Sequence, residues 1–359
     1  MFDSVKTMVR TLVKRFFSIP NLWNKNHIHI VTDGHDWVIG EVSKFLSTAL
    51  SQRTLAQASI SPFFYFLSGK VIHFNSIPVP QRFPKNKVIM TWYHIPEHDP
   101  RLSTLRELEA RVDLIHTSTH STKQTLVQHG FPPEKILVIP QGINLTLFTP
   151  VSKDQKKEIR TALGIPEKAF VIGSFQKDGD GWGEGMNPKL IKGPDVFCDV
   201  VEQLAKKIAV HVLLSGPSRG YVKDRLTRAN IPFTHQYPKA YKDVNQLYHA
   251  LDVYLISSRI EGVPMALLES WATGIPLVST RVGMVQDVAK HESNALLADV
   301  EDRDRLVGHI ETLFHDHHVR DHLARNGLES VKAYDWSVLI DRYWKELYQP
   351  LLRKPSVKH

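Results

Sequence analysis

Two glutamates set eight residues apart are the first feature of this chain that could do chemistry. In Ser257-Ser258-Arg259-Ile260-Glu261-Gly262-Val263-Pro264-Met265-Ala266-Leu267-Leu268-Glu269 an apolar strand runs out at Ile256 or Ser257. A loop then carries Glu261 and Gly262, and a helix opens near Pro264 or Met265. Proline suits a first helical turn, because its missing N–H would be unpaired there anyway. The unpaired amides of that turn and the helix dipole favour a phosphate. Gly262 lets the backbone approach the phosphate closely. Glu269 sits about one turn into the helix, where its carboxylate can accept two hydroxyl hydrogen bonds. Two carboxylates beside an anion site work against binding phosphate alone. They make sense if the ligand also presents sugar hydroxyls. On spacing alone, a helix cap at Glu261 and a surface pair at Glu269 account for the residues equally well.

The elements that would position these residues read as two alternating series. Apolar runs predict strands at 27–32, 70–74, 87–92, 114–117 and 136–139, with helices over 41–50, 102–111 and 121–129. The stretch 149–165 is polar, with Pro150 at its start and Pro166 just beyond its end, and it is read as a domain boundary. A second series follows. It has strands at 169–175, 210–215, 233–235, 253–257 and 277–280, and helices at 194–207, 222–229, 244–250 and 265–272. The end is helical over 302–314, 319–333 and 337–352. Alternation of this kind predicts parallel sheets with helices on both faces. The expected fold class is α/β, with two Rossmann-like doubly wound domains facing each other across a cleft. The expected domains are 26–150 and 151–335, with a last helix, 336–359, crossing back to the first. Between the strand at 169–175 and Lys192 lies a long loop with four glycines and little apolarity. Long loops in compact domains are usually functional or disordered.

Residues 1–25 stand apart. Phe2, Val5, Val9, Leu12 and Phe16 recur at helical spacing, Arg10, Lys14 and Arg15 lie toward the other side, and Pro20 ends the pattern. Such a helix, over residues 1–19, either lies in an anionic membrane interface or packs on the domain behind it. Among 359 residues the net charge is +8, which favours anionic partners without choosing among them. The one cysteine, Cys198, excludes an intrachain disulfide and fits a reducing compartment. No apolar run is long enough to span a bilayer. The expected location is cytoplasmic, with peripheral attachment to the inner face of a membrane as an option. Of the 19 histidines, His315, His317, His318 and His322 crowd one late segment, and a solvated helix end explains them better than a metal. No zinc-ligand spacing or aromatic–basic motif points to nucleic acid.

The stretch around the two glutamates resembles the Glu-x7-Glu motif of retaining GT-B glycosyltransferases of family 4, the group 1 transferases. The likeness extends back through Leu247-Tyr248-His249-Ala250-Leu251-Asp252-Val253 and forward through Ala272-Thr273-Gly274-Ile275-Pro276. It is also carried by Ile139-Pro140-Gln141-Gly142-Ile143-Asn144 and covers roughly residues 86–345. The resemblance implies transfer of a hexose from a UDP- or GDP-sugar to a glycan, lipid or other hydroxyl acceptor, with retention of configuration. It implies no cofactor and no metal. By the same resemblance Glu261 contacts the donor sugar and Glu269 the ribose. The amides of Gly262, Val263, Pro264 and Met265 lie near the diphosphate or sugar. Lys192 neutralises the departing diphosphate, where negative charge develops, and His94 lies near the transferred sugar.

The sequence departs from the family's pattern in two places. Asn187 stands at the spacing of the usual arginine before Lys192, and Lys177 follows the strand instead, with the glycine-rich insertion 178–185 between them. Lysine lacks the bidentate fork of arginine. The usual Gly-Gly after the strand near Pro276 is Gly283-Met284. These departures motivate an alternative, a catalytically degenerate nucleotide-sugar-binding protein. A nucleotide-sugar epimerase on the same fold is a second alternative, and the Glu-x7-Glu stretch speaks against it.

Overall fold

A computed structural model describes residues 27–32, 38–53, 58–60, 64–96 and 99–352. The helical pattern at residues 1–19, Gly34 and the loop after the first strand lie outside the described residues. The chain divides into two compact units: residues 1–93, 97–139 and 339–359, and residues 94–96 and 140–338.

In the first unit the described elements are β1 (Ile28–Val31), α1 (Val38–Arg53), β2 (Ala58–Ile60), β3 (Val71–Asn75), β4 (Lys87–Thr91), α2 (Leu105–Glu109), β5 (Leu114–Thr117), α3 (His120–Gln128) and β6 (Ile136–Val138). The six strands pair in parallel in the order β2-β1-β3-β4-β5-β6. This is a doubly wound sheet with its reversal between β1 and β3. The helix predicted over 102–111 is split: Pro100–Thr104 is a 3₁₀ turn, and α2 begins at Leu105. Asp99 starts that turn by accepting the Arg101 amide at 2.9 Å.

The sheet of this unit carries polar side chains in its interior. His116 Nε2 lies 3.0 Å from the Ile139 carbonyl, its Nδ1 2.9 Å from Thr91 Oγ1, and His73 bridges Thr91 (2.6 Å) and the Tyr348 hydroxyl (2.7 Å). A carbonyl only accepts, so every direction along the chain is fixed. Tyr348 donates to His73, His73 to Thr91, Thr91 to His116, and His116 to Ile139. Burial holds both imidazoles neutral, with pKa values down to about 3 for His73 and about 4 for His116.

In the second unit the elements are α4 (Lys153–Ala162), β7 (Phe170–Phe175), α5 (Pro194–Ala205), β8 (Val210–Ser215), α6 (Gly220–Arg228), β9 (Phe233–His235), α7 (Val244–His249), β10 (Val253–Ile256), α8 (Met265–Thr273), β11 (Leu277–Thr280), α9 (Met284–Val288), β12 (Leu296–Ala298), α10 (Arg303–His315) and α11 (His317–Val331). The helix α12 (Trp336–Arg342) then runs through a π-helical stretch, Tyr343–Tyr348, into Gln349–Leu352, and from Leu339 on these residues group with the first unit. The sheet is parallel throughout, in the order β12-β11-β10-β7-β8-β9. Renumbered from β7, this is the 3-2-1-4-5-6 order of dinucleotide-binding folds, with its reversal between β7 and β10.

Both faces of this sheet are covered, so its strands are apolar on each side. Phe170, Ile172, Val212, Leu214, Val253 and Leu255 join one core with α5 and α10. Their neighbours Val171, Leu213, Tyr254 and Ile256 join the other, with α7 and α8. The stretch 149–165, polar enough to read as a boundary, carries α4. Ser152 and Gln155 form a capping box at its start. Lys156 and Arg160 reach Asp252 at 3.0 and 2.7 Å, and Ile159 and Leu163 pack on the core. Its surface is polar because only a narrow stripe is even partly buried.

Candidate active site

The reversal between β7 and β10 is where open parallel sheets bind ligands, beyond the carboxyl ends of the strands. The loops that leave these two strands hold the residues singled out above. After β10, Ser257 to Glu261 turn across the end of the sheet. After β7, the chain passes Lys177 and the glycine-rich insertion before reaching Lys192 and α5.

The two loops are tied together by their backbones. Arg259 and Ile260 donate their amides to the Ile191 carbonyl at 2.9 and 3.1 Å. Gly193 has φ +61°, and a Cβ there would collide with the Ser257 carbonyl oxygen, so this close approach requires glycine. Arg259 clamps the loop from outside. It makes two bonds to Asp195 (2.8 and 2.6 Å), one to the Leu190 carbonyl (2.7 Å) and an ion pair with Glu301. From the other side, Thr280 donates to the Ser258 carbonyl at 2.6 Å and the Met284 amide to the Gly262 carbonyl at 2.8 Å. A Cβ at Gly283, where φ is +46°, would strike the carbonyls of Gly262 and Glu261. The Gly283-Met284 pair therefore keeps the glycine at the position where the backbones meet.

This scaffold brings Lys192 and Glu261 together. The ammonium lies 2.7 Å from each carboxylate oxygen, and Ser258 donates to the same carboxylate at 2.8 Å. The Glu261 side chain is 7% exposed and that of Lys192 23%, so the cation is the more open of the two. Two further lysines stand nearby. Burial, with the ammonium groups of Lys192 and Lys177, holds Lys189 below the usual lysine range, while Glu261 acts in the opposite direction. Lys189 thus feels two neighbouring lysines and two carboxylates, Glu261 and Asp180. Gly262 and Val263 follow at once, and α8 begins after Pro264 with no side chain capping it.

Glu269 lies in a different setting. It is buried inside α8, and both oxygens accept phenolic protons, from Tyr241 at 2.5 Å and Tyr248 at 2.6 Å. Burial pushes its pKa up, and the two tyrosines oppose that shift. Phe148, Phe175 and Tyr254 pack around these phenols. A carboxylate has about four acceptor positions, so two remain. His94 is half-buried three residues beyond β4, and residues 94–96 group with the second unit.

Ser258, Arg259, Lys189, Tyr241 and Tyr248 were not singled out in the sequence. Tyr248 and Ser258 stood inside the quoted motif stretch. Nothing in the spacing pointed to Tyr241. Asp178 and Asp180 stand one residue apart, a spacing that could hold a cation, but Asp178 is buried against Arg219, with Oδ1 2.9 Å from Nε. Among the described residues no group of three His, Cys, Asp or Glu could hold a metal ion. His315, His317, His318 and His322 fall at the α10–α11 junction.

Residues 187–330, which run from the end of the insertion through α11, match the family described as glycosyl transferases group 1. The matched stretch covers about two fifths of the chain. It holds Lys189, Lys192, Glu261 and Glu269, while Lys177 and the insertion 178–185 precede it. Similar proteins include the D-inositol 3-phosphate glycosyltransferase of Corynebacterium efficiens, 25% identical over 67% of this chain and 58% of that protein. The sulfoquinovosyl transferase SQD2 of Arabidopsis thaliana is 23% identical over 84% of this chain and 60% of its own length. The chain thus spans less than two thirds of these relatives. Among solved structures, Anabaena Alr3699/HepE in complex with UDP-glucose superposes with a TM-score of 0.71 at 17% identity, covering 90% of this chain and 99% of that one. Sucrose-phosphate synthase from Thermosynechococcus elongatus gives 0.69 at 16% identity, with 91% and 99% covered. The fold is the α/β two-domain fold expected from the sequence. Among the described residues no helix is long and apolar enough to cross a membrane.

Proposed function

We propose that this protein transfers a hexose from a nucleoside-diphosphate sugar to an acceptor hydroxyl, with retention of configuration and without a metal. The Lys192–Glu261 pair at the sheet reversal carries the reading. Without a donor, the two charges neutralise each other at 2.7 Å. With a donor, the carboxylate takes the sugar hydroxyls and the ammonium turns to the diphosphate. Negative charge grows on the diphosphate as the bond to the anomeric carbon breaks, and a preplaced cation stabilises that state. The acceptor oxygen bonds to the same face of the sugar, and its proton passes to a phosphate oxygen of the leaving group. In this proposal the amides of Gly262 to Met265, with Pro264 supplying none, border the diphosphate. Glu269 takes the ribose through its remaining acceptor positions, Lys177 and Lys189 add positive charge, and His94 borders the sugar.

UDP-glucose is the first donor to try, because the similar Anabaena structure is of a complex with it. The test is a melting screen with UDP, GDP, ADP and CMP, followed by turnover of the matching sugar nucleotide. A nucleotide at 100 times its dissociation constant adds about 2.7 kcal/mol of stability. A clear winner with turnover supports the proposal. Binding without turnover, toward hydrolysis or any acceptor, would favour the degenerate binding protein. A melt that none of the four nucleotides shifts contradicts a donor site. The basic pattern over residues 1–19 is proposed to draw the enzyme to anionic membranes. Liposome binding that survives deletion of residues 1–20 would count against that role.

A further inference from the structure

The glycine-rich insertion is built like a platform. Asp180 and Lys189 donate their amides to the carbonyls of Asn187 (2.9 Å) and Asp178 (2.7 Å), and Gly179 bridges to Pro188. Residues 178–189 therefore form a small hairpin. Its base is locked by the buried Asp178–Arg219 pair. The same guanidinium donates to the carbonyls of Ser174 and Ser215 at 2.5 and 2.7 Å. Its tip is braced by Ser218, which donates to the Gly183 carbonyl at 2.9 Å. The amides of Gly220 and Tyr221, which open α6, donate to the carbonyls of Glu184 (2.7 Å) and Gly185 (3.0 Å). The hairpin thus caps α6. A Cβ at Gly179 or Gly185 would strike the Ser218 backbone, so the glycines serve close packing.

A loop held this firmly would be expected to tuck its apolar side chains away. It does the opposite. Trp182 is 61% exposed, Met186 50% and Leu190 54%. Burying an ion pair is costly, and an exposed indole presents a large flat apolar face. The Lys177 ammonium lies 4.3 Å from the centre of the Trp182 ring, and the residue before it, Gln176, donates from its side chain to the Lys192 carbonyl at 3.4 Å. The indole therefore stands beside the loop that carries Lys192, beyond the carboxyl end of β7.

We infer that the hairpin is a sugar-binding platform on which Trp182 stacks against a pyranose ring of the acceptor. A pyranose has an apolar C–H face and a hydroxyl rim. The hairpin has an exposed indole with the Lys177 ammonium over one face, and exposed Asp180 and Glu184 stand two residues to either side of it in the chain. An anionic bilayer fits less well, because the two exposed carboxylates oppose it. A rigid aromatic also loses little entropy on binding. The inference rests on the proposed transferase reading, and one experiment separates the two.

Wild type, Trp182→Ala and Trp182→Phe are applied, saturated with UDP, to an array of immobilised gluco-, galacto- and manno-configured oligosaccharides. UDP affinity is measured in parallel by calorimetry. Expected are sugar binding by the wild type, a loss of about tenfold in the alanine variant, retention within a few-fold in the phenylalanine variant, and equal UDP affinity in all three. The platform is overturned if the wild type binds no sugar or if the alanine variant binds sugar like the wild type. It is equally overturned if that variant loses UDP affinity, which would place the indole in the nucleotide site. A wild type that bound sugar through Trp182 but not UDP would refute the donor reading and keep the platform.

Discussion

The histidine chain of the first unit and the Lys192–Glu261 corner of the second are both polar networks on parallel sheets, and they end differently. From Tyr348 through His73, Thr91 and His116 to the Ile139 carbonyl, every donor meets an acceptor and both rings are neutral. The network closes on itself inside the sheet, and nothing is left over for a ligand. The corner lies beyond the strand ends and holds full charges. Its cation is partly open, and two more lysines stand close by. A polar network that satisfies itself is structure. One that gathers unbalanced charge at a sheet reversal is suited to chemistry.

The largest test of this contrast is removal of Lys192 or Glu261. Each alanine variant is expected to lower turnover of the matching sugar nucleotide by about 10²–10³-fold, the usual cost of losing a preplaced charge partner. Melting should change little by comparison. Near-normal turnover in either variant would move the corner into the structural class. The second test is acid. The buried histidines titrate near 3 and 4 when folded, against 6.5 when unfolded. Below pH 6.5 the unfolded chain takes up protons that the folded one refuses. The stability from this chain is therefore complete above about pH 6.5 and is lost as pH falls toward 4. Each group costs at most about 1.4 kcal/mol per pH unit in that window. Amide exchange corrected for its intrinsic pH dependence should show protection in β3, β4 and β5 falling between pH 7 and 5, more than in β7. Equal loss in both sheets would deny the chain its special role.

The same division explains what could be read in the sequence. β5, β8, β9 and β11 lie where they were predicted; for β8 and β11 the signal is plain because strands buried on both faces are largely apolar. β2, β12 and α9 were not foreseen: each has three to five residues, too few for a period to register. α4 was hidden by its polar face and given away only by the Ser152–Gln155 cap. At the site, Glu261, Glu269 and Lys192 were legible because they belong to a local motif or a recognisable turn. Their partners were not. Arg259 reaches Asp195 across 64 positions, and Tyr241 reaches Glu269 across 28. The insertion was legible as a long loop, but not as a braced one, since its lock, Asp178 with Arg219, joins residues 41 apart.

A smaller effect is expected at Glu269, which combines features of both networks. It is buried and satisfied by tyrosines, yet it sits in the group 1 motif. Glu269→Gln should weaken UDP binding about tenfold or more, the value of hydrogen bonds to a charged acceptor. It should weaken 2′,3′-dideoxy-UDP far less, because that ligand lacks the hydroxyls at issue. Equal losses for the two nucleotides would make Glu269 a structural residue like His73.

The smallest effect is expected at the far end of the histidine chain. Tyr348→Phe removes the hydroxyl that donates to His73 Nδ1 and keeps the ring that packs against that imidazole. The acceptor is then left without its donor inside the protein. Its desolvation is no longer offset, at a cost of about 1–3 kcal/mol. The loss should appear as a lower denaturation midpoint, while UDP affinity and donor turnover per folded molecule stay at the wild-type level. The direction of the chain adds a second readout. With the hydroxyl gone, His73 can reverse its tautomer only if Thr91 turns its one proton from His116 to His73, so the groups are coupled and the Thr91→Val, Tyr348→Phe double variant should differ from the sum of the two singles. Strict additivity would mean that the four groups do not act as one directed chain, and the contrast with the Lys192–Glu261 corner would lose its structural half.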